Sequence, residues 1–583
     1  MGSSYREIIS LQCGHFSNFI GTHWWNIQES AFCYEPLNTS DVPKEINSNI
    51  LFREGLTLAG EVTYTPRLVA IDLKGSLNTL KAEGVLYDTP VQDEDLKWTS
   101  DVTLHKTDSV PKNEFLTDLE KVDKIRSGGM DVDDTSQGSQ EEADIMDTDD
   151  PVPSERQETP DVTKKIYNLD NQVNVWSDYL RIHLHPKTCS VVQEYTHDSV
   201  TEQFDVFMYG QQVMNNTKTA DDIEDRIRFF TEECDSLQGF QLLLDTYDGF
   251  SGIGCKLMEQ LVDDFSSKTM LSLAVSPSHF PDTTSIEDSQ RVINSVLSYD
   301  RLCNHSSLFV PLSLASTLWR KPGSSVNFPN LIYDASLKYH NSAILAMALE
   351  TATLPYRLEN NSVQMNTITD TLAAMGRKAA SLSVALPVPL SANSTFADML
   401  SNFIDVFPWQ SVTPYCSQAS PVNCYAQTVA LRGIPKGLFK RSSTESDIPS
   451  DNQLQTCRNM DEMLRMYLTA VFPRTLNSGI FVEQPCKTTT PFPHIFSPKI
   501  DKQGLERDVN RPSTTAVESV PVMTTLQSTS CMDNLLSSLH TEGKKLDINK
   551  FHHYLNSGLE VDDYSESLEN LQELAQCYQN QIS

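Results

Sequence analysis

Apolar positions along the chain fall into two rhythms that take turns. "REIISLQ", Arg6 to Gln12, alternates weakly and gives way to Ile20, Trp24 and Ile27, spaced i, i+4, i+7 like one face of a helix. "RLVAIDL", Arg67 to Leu73, is a short apolar run ending in an acid, the pattern of a strand buried on both faces. "LQGFQLLL", Leu237 to Leu244, is another. A glycine-bearing turn follows it, then a helix with Ile253, Leu257, Leu261 and Phe265 along one side. "MLSLAVSP", Met270 to Pro277, predicts a further strand. Strand and helix in alternation predict an α/β layer around a largely parallel sheet. In such a sheet a ligand lies in the crevice beyond the carboxyl ends of the strands.

The second half mixes its elements differently. "SLSVALPVP" and "AQTVALRGI" read as strands and "NMDEMLRMYLTAVFP" as a helix. A helix closes the chain, with Tyr564, Leu568, Leu571, Ala575 and Tyr578 on one stripe and Asp562 or Asp563 placed to cap it. Such a stripe packs most economically on the preceding domain. Two segments break the rhythm. Gly128 to Asp161 holds twelve acids, one base and few apolar residues, so it cannot offset its ordering entropy and reads as a disordered insertion. Its acids lack the glycine and terminal glutamate of a calcium loop. Thr488 to Pro512, rich in Pro, Thr and Ser, reads as an exposed loop.

Composition narrows the function classes. The 583 residues suffice for two or more packed units. Acids outnumber bases 78 to 45, a net charge of −33 that repels nucleic acid, and no basic patch of any length offsets it. The 12 cysteines are scattered, with no CxxC pair and no Cys/His set at zinc spacing, as suits a reducing compartment. No stretch approaches the roughly 18 apolar residues of a membrane span, and no secretory signal opens the chain. "MGSSYR" approximates a myristoylation signal but has Arg6 where a hydroxyl is needed. These features predict a soluble, intracellular protein whose membrane contact is peripheral only.

Two stretches suggest phosphate chemistry. "REIISLQCGHFSNFIGTHWWNIQES", Arg6 to Ser30, has the strand–turn–helix layout in which backbone N–H groups at a helix start hold an anion. Its turn, Gly14 to Asn18, nevertheless carries one glycine and a large aromatic. Asp245 to Gly254 offers Gly249, Ser251, Gly252 and Gly254, while Asp245 and Asp248 bring negative charge to where phosphate would lie. Two readings stay open: the glycines shape a tight strand-to-helix turn, or they cradle phosphate. His183 and His185 in "RIHLHP" would share a strand face, as metal ligands or as hydrogen-bonded histidines, with no third ligand nearby. No serine has the G-x-S-x-G context of a nucleophile.

Four of these stretches, in order along the chain, resemble tubulin. "REIISLQCGHFSNFIGTHWW" is similar to its opening strand, turn and first helix. "YTPRLVAIDLKGSLNTLKAEG", Tyr64 to Gly84, is similar to its Y-x-P-R-A-x-x-x-D-L-E segment. "ECDSLQGFQLLLDTYDGFSGIG", Glu233 to Gly254, stands where tubulin has C-D-x-L-Q-G-F-Q and its G-G-G-T-G-S-G signature. "KFHHYLNSGLEVDDYSESLENLQELAQCY" resembles the tubulin helix near the C-terminus. The acidic insertion, "VWSDYLRIHLHPKT" (Val175 to Thr188) and "DGFSGIG" together resemble Misato, the tubulin-like family of mitochondrial distribution and morphology.

The resemblance implies a tubulin/FtsZ-like α/β fold. It implies a Rossmann-like parallel-sheet domain over 1–290, interrupted by a disordered acidic insertion at 128–163. An intermediate α+β domain over 291–515 and C-terminal helices over 516–583, packed on both, complete it. It also places a nucleotide pocket on Gly14, His15, Asn18, Asp72, Lys74, Gly249, Ser251, Gly252 and Asn341. Several departures damage that pocket. His15 replaces a phosphate- and magnesium-facing glutamine, and Phe16 a cysteine. Lys74 replaces a glutamate, to neutralise phosphate, pair with Asp72 or face solvent. "VPLSLAS", Val310 to Ser316, replaces the acid-bearing sugar contact, and Asn341 in "YHNSAIL" is left to reach a base. The catalytic acid that tubulin lends to its neighbour has only Asp370 as counterpart, out of register. GTP turnover is therefore expected to be slow or absent, with no catalytic residue and no metal site, and GTP set against no cofactor at all.

The function implied is a non-catalytic tubulin-like protein of the cytoplasm and outer mitochondrial membrane, supporting mitochondrial fusion and network formation. Outer-membrane or fusion-machinery proteins are the expected partners, with tubulin or its chaperonin as further candidates and nucleic acid excluded. The alternatives are a GTP-binding switch and a tubulin- or spindle-associated factor.

Overall fold

Strand β1, Ile8–Cys13, is buried along its whole length, so its weak alternation reflects apolar neighbours on both faces rather than a solvated side. In the computed structural model, which describes residues 6–32, 45–56, 62–81, 110–126, 162, 165–281, 283–416, 421–439 and 453–579, β1 is the centre of a six-stranded sheet. The acidic insertion expected at 128–163 lies outside the described residues except for Val162, as does the myristoylation-like start except for Arg6.

The other strands are β2 (Leu68–Lys74), β3 (Cys189–Thr196), β4 (Gly239–Asp245), β5 (Thr269–Val275) and β6 (Leu308–Leu312). Their order is β3-β2-β1-β4-β5-β6 and every pairing is parallel. The order reverses at β1, so the crevice beyond the ends of β1 and β4 is the switch point where such sheets place a ligand. Side-chain parity divides the sheet between two cores. Ile8, Leu68 and Ala70 join one apolar cluster, while Ile9, Leu11, Val69 and Ile71 join the other. On the first face lie α1 (His15–Glu29) and α6 (Lys338–Ala352). On the second lie α2 (Phe207–Asn215), α3 (Thr217–Glu232), α4 (Phe250–Asp264) and α5 (Ser285–His305).

Helix α6 is buried from Tyr339 to Thr351 because it runs between this sheet and a second one. The second sheet, ordered β8-β7-β11-β9-β10, comprises β7 (Ser381–Ala385), β8 (Gln410–Ser411), β9 (Cys424–Arg432), β10 (Leu476–Val482) and β11 (Val522–Thr529). It is antiparallel except for β9 against β10. Helix α8 (Met460–Val471) covers its far face. Helix α7 (Met365–Leu372) lies between the sheets, and α9 (Met532–Lys544) and α10 (Val561–Gln576) pack on α5. Of the closing stripe, Tyr564, Leu571, Ala575 and Tyr578 are buried. Asp563 accepts the Glu560 amide at 3.4 Å to close a capping box.

Helix α5 spans the expected boundary at 290 and β6 lies beyond it, while β11 lies inside the expected helical tail. Pairing across the chain, not sequence proximity, assigns these strands. Thr488 to Pro512 is not the exposed loop its composition suggests. It has little regular structure, yet Phe492, Ile495, Phe496, Ile500 and Leu505 are buried. Its prolines break the ladder without making the segment polar.

Candidate functional site

Beyond the end of β1, Gly14 opens α1 with φ 121°, a left-handed value that a side chain rarely adopts. A β-carbon there would run into the Asp245 carboxylate. Asp245 ends β4, next to β1, and its carboxylate sits on the start of α1. Oδ2 accepts the Phe16 amide at 2.8 Å; Oδ1 accepts the Ser17 amide at 2.8 Å and the Ser17 hydroxyl at 2.6 Å. The Tyr247 hydroxyl adds a fourth donor at 3.1 Å. Free N–H groups and the positive end of a helix are what make such a start attract an anion. Here the anion is the chain's own. Burial pushes the Asp245 carboxyl up to about 6, against these donors, which favour the charged form.

The second helix start is closed in the same way. Asp248 accepts the Phe250 amide on its carboxylate at 3.0 Å and the Ser251 amide on its carbonyl at 3.2 Å. The Ser251 hydroxyl also turns back to that carbonyl. Burial and the charge of Asp245 hold the Asp248 carboxyl well above the ordinary range.

Gly249 and Gly252 serve packing rather than phosphate. Gly249 has φ −65°, a conformation open to any residue. Its need for glycine is steric, since a β-carbon would meet the Phe204 ring. One on Gly252 would strike the Phe207 carbonyl, and one on Gly210 the Gly249 carbonyl. Helix α2 is therefore laid directly over the start of α4. Gly249 closes the short turn from β4 into α4, as the first reading has it, and the close helix crossing adds the reason for glycine there and at Gly252.

Asp72, at the end of β2, is surrounded by donors. Oδ2 meets His15 Nδ1 at 3.4 Å, Asn18 Nδ2 at 3.0 Å and Trp176 Nε1 at 2.9 Å, while Oδ1 accepts the Leu73 amide at 2.8 Å. Burial works to raise its pKa, but the His15 and Asn18 contacts outweigh it and the net displacement is downward. His15 lies against His197 with ring centroids 3.9 Å apart and planes inclined by 31°, and burial next to His15 lowers the His197 imidazole to about 4. Lys74 is exposed at the strand end, so of its three readings solvent exposure is the one observed, and Asp72 has His15 instead.

The fold thus brings Gly14, His15, Asn18 and Asp72 together, with Gly249, Ser251 and Gly252 on the neighbouring helix start. Asn341, near the start of α6, turns its amide to Ser278 Oγ at 2.9 Å and the Ala335 carbonyl at 2.8 Å. Asp370 is exposed on α7. His183 and His185 do not share a strand face. Their segment is irregular; His183 is exposed, 3.6 Å from Asp123, and His185 is buried, stacked on Phe229 at 4.8 Å. Among the described residues no three His, Cys, Asp or Glu are grouped to hold a metal ion. Trp176, His197, Tyr247 and Phe204 were not foreseen as site residues. Of these, Trp176 and Tyr247 lay in phrases already singled out. The residues present do not fit a nucleoside triphosphate, because the amides that would bind its phosphates are used and two buried carboxylates take the phosphates' place.

Comparison with known proteins agrees with this fold. A model described as the Misato Segment II tubulin-like domain matches residues 6–121, and one described as a tubulin domain matches residues 168–358. Protein misato homolog 1 of Danio rerio is 39% identical over 594 aligned residues, covering 100% of this chain and 98% of the relative. That of Mus musculus is 37% identical over 583 residues, covering 99% of each, and Protein misato of Drosophila melanogaster 30% over 590, covering 98% of each. Similar along its whole length to these relatives and built on a tubulin-like frame, the chain belongs to the Misato family.

Proposed function

We propose that this chain is a non-catalytic, tubulin-like scaffold that regulates mitochondrial distribution and morphology, supporting fusion and network formation from the cytoplasm and the outer mitochondrial surface. The observation that carries the non-catalytic part is the Asp245 carboxylate on the Phe16 and Ser17 amides. A polyphosphate would have to displace a buried, four-times hydrogen-bonded anion from a site that bears two further buried carboxylates, Asp72 and Asp248. The mitochondrial part rests on the family. Attachment is peripheral and through protein: no described helix is long and apolar enough to cross a membrane, and a net charge of −33 opposes anionic lipid. Outer-membrane or fusion-machinery proteins are the proposed partners, with tubulin or its chaperonin next.

Equilibrium dialysis of the purified chain against labelled GTP, with phosphate release followed in parallel, tests the first part. Neither binding nor release is expected; saturable micromolar binding would overturn it. Depletion in cells, rescued by the intact chain, tests the second, with a collapsed network expected and an unchanged one overturning it. One observation favours the GTP-switch reading. Nε2 of His15, Oδ1 of Asn18 and Nε2 of Gln12 are buried without a partner beside the helix start, as polar atoms awaiting a ligand would be.

A further inference from the structure

The seam between the two sheets contains a buried ion network. Glu350, near the C-terminal end of α6, is 2% exposed and holds four side-chain donors from three parts of the chain. Oε2 accepts Trp24 Nε1 of α1 at 2.9 Å and Arg357 Nη1 at 2.6 Å. Oε1 accepts Arg357 Nη2 at 3.0 Å and Arg432 Nη1 at 3.1 Å. Arg432 ends β9 in the second sheet, and its other nitrogens donate to the Gln484 and Pro485 carbonyls at 3.0 and 3.1 Å. Arg357 also donates to the Thr353 hydroxyl at 3.0 Å. None of the three charged side chains has a buried polar atom without a partner.

A network like this is a poor source of net stability, since dehydrating three charges offsets most of their attraction. What it supplies is a condition. Its bonds are all made in one placement of α1, α6 and β9, and any slide of one sheet past the other leaves an arginine buried without its carboxylate. Two cations share one anion, so Glu350 cannot serve Arg432 from a second position without abandoning Arg357.

We infer that Glu350, Arg357 and Arg432 form a conformational lock that fixes the second sheet to the first in a single arrangement. This goes beyond the scaffold reading and does not depend on it, because a nucleotide-binding chain would carry the lock equally well. The lock makes the chain a rigid two-sheet body, in which the tubulin-like frame presents constant surfaces rather than switching between two.

Hydrogen exchange on the full chain tests this. Glu350→Gln keeps the shape and removes the charge. Amides of β9, β10 and residues 483–485 are expected to exchange at least tenfold faster and those of β1 and β4 to keep their rates, with thermal unfolding in one step in the parent chain and in two in the variant. Acceleration spread evenly over both sheets, or none, would overturn the lock. Should Glu350→Gln fail to fold, Arg432→Met keeps the Glu350–Arg357 pair and is read in the same way, with the same two overturning outcomes. Leu244→Ala, a core truncation remote from the seam, is the control that must not reproduce the local pattern.

Discussion

At the scale of single residues, the contact that decides most is between Gly14 and Asp245. One must lack a β-carbon for the other to reach the helix start. Gly14→Ala meets both the left-handed φ and the carboxylate, and is expected to destabilise the fold by about 3 kcal/mol, read by chemical denaturation. Asp245→Ala leaves the Phe16 and Ser17 amides without an acceptor and is expected to lose about 2–4 kcal/mol. It also exposes an anion site, so millimolar inorganic phosphate is expected to raise the melting temperature of this variant and not of the parent chain. Asp245 makes a pH signature as well. Its carboxyl titrates near 6 when folded and near 3.8 when unfolded. Between those values the unfolded state gives up its proton first, so stability contributed at this site falls as pH rises from about 4 to 6. Asp72 has the opposite sign and acts lower, its contribution being lost as pH falls below about 4. Denaturation of Asp245→Asn beside the parent at several pH values should show a steeper fall between 4 and 6 in the parent, with the buried Asp248 carboxyl supplying what fall remains in the variant.

At the scale of elements, α2 and α4 define the site by how closely they cross. Gly210 and Gly252 let the backbone of one helix lie on the other. Gly252→Ala must push the Phe207 carbonyl, and α2 with it, away from α4, an overpacking expected to cost about 1–3 kcal/mol in denaturant unfolding. The same crossing explains why a stretch shaped like a phosphate loop keeps its glycines: they let α2 lie on the start of α4. Its glycines were legible in the sequence. Their purpose was not, because α2 lies some forty residues upstream and only the fold sets it there.

At the scale of the molecule, α6 packs between the two sheets and the closing helices pack on α5. The C-terminal end is tied back by Tyr578, whose hydroxyl donates to the Ala379 carbonyl at 2.6 Å and accepts the Ala379 amide at 2.7 Å. Tyr554 donates to Asn294 of α5 at 2.7 Å, and Ser567 to Asp300 of α5 at 2.9 Å. Tyr578→Phe removes both bonds to Ala379 and is expected to lower stability by about 1–2 kcal/mol, with exchange rising first in α10.

The strands and helices of the first half were readable from apolar spacing, because a parallel sheet buried on both faces leaves continuous runs and its covering helices leave stripes. The tubulin-like order followed from four short phrases, and the departures from a phosphate-binding pattern from Phe16, Asp245 and Asp248 standing in its loops. What the carboxylates do there was decided only by the tertiary structure. Their negative charge reads in sequence as repulsion towards a ligand, whereas folding brings the end of β4 beside the end of β1 and turns Asp245 into the ligand itself. The same holds at the seam. Trp24, Glu350, Arg357 and Arg432 are ordinary residues spread over four hundred positions, and no local pattern announces a network whose members meet only when both sheets are in place.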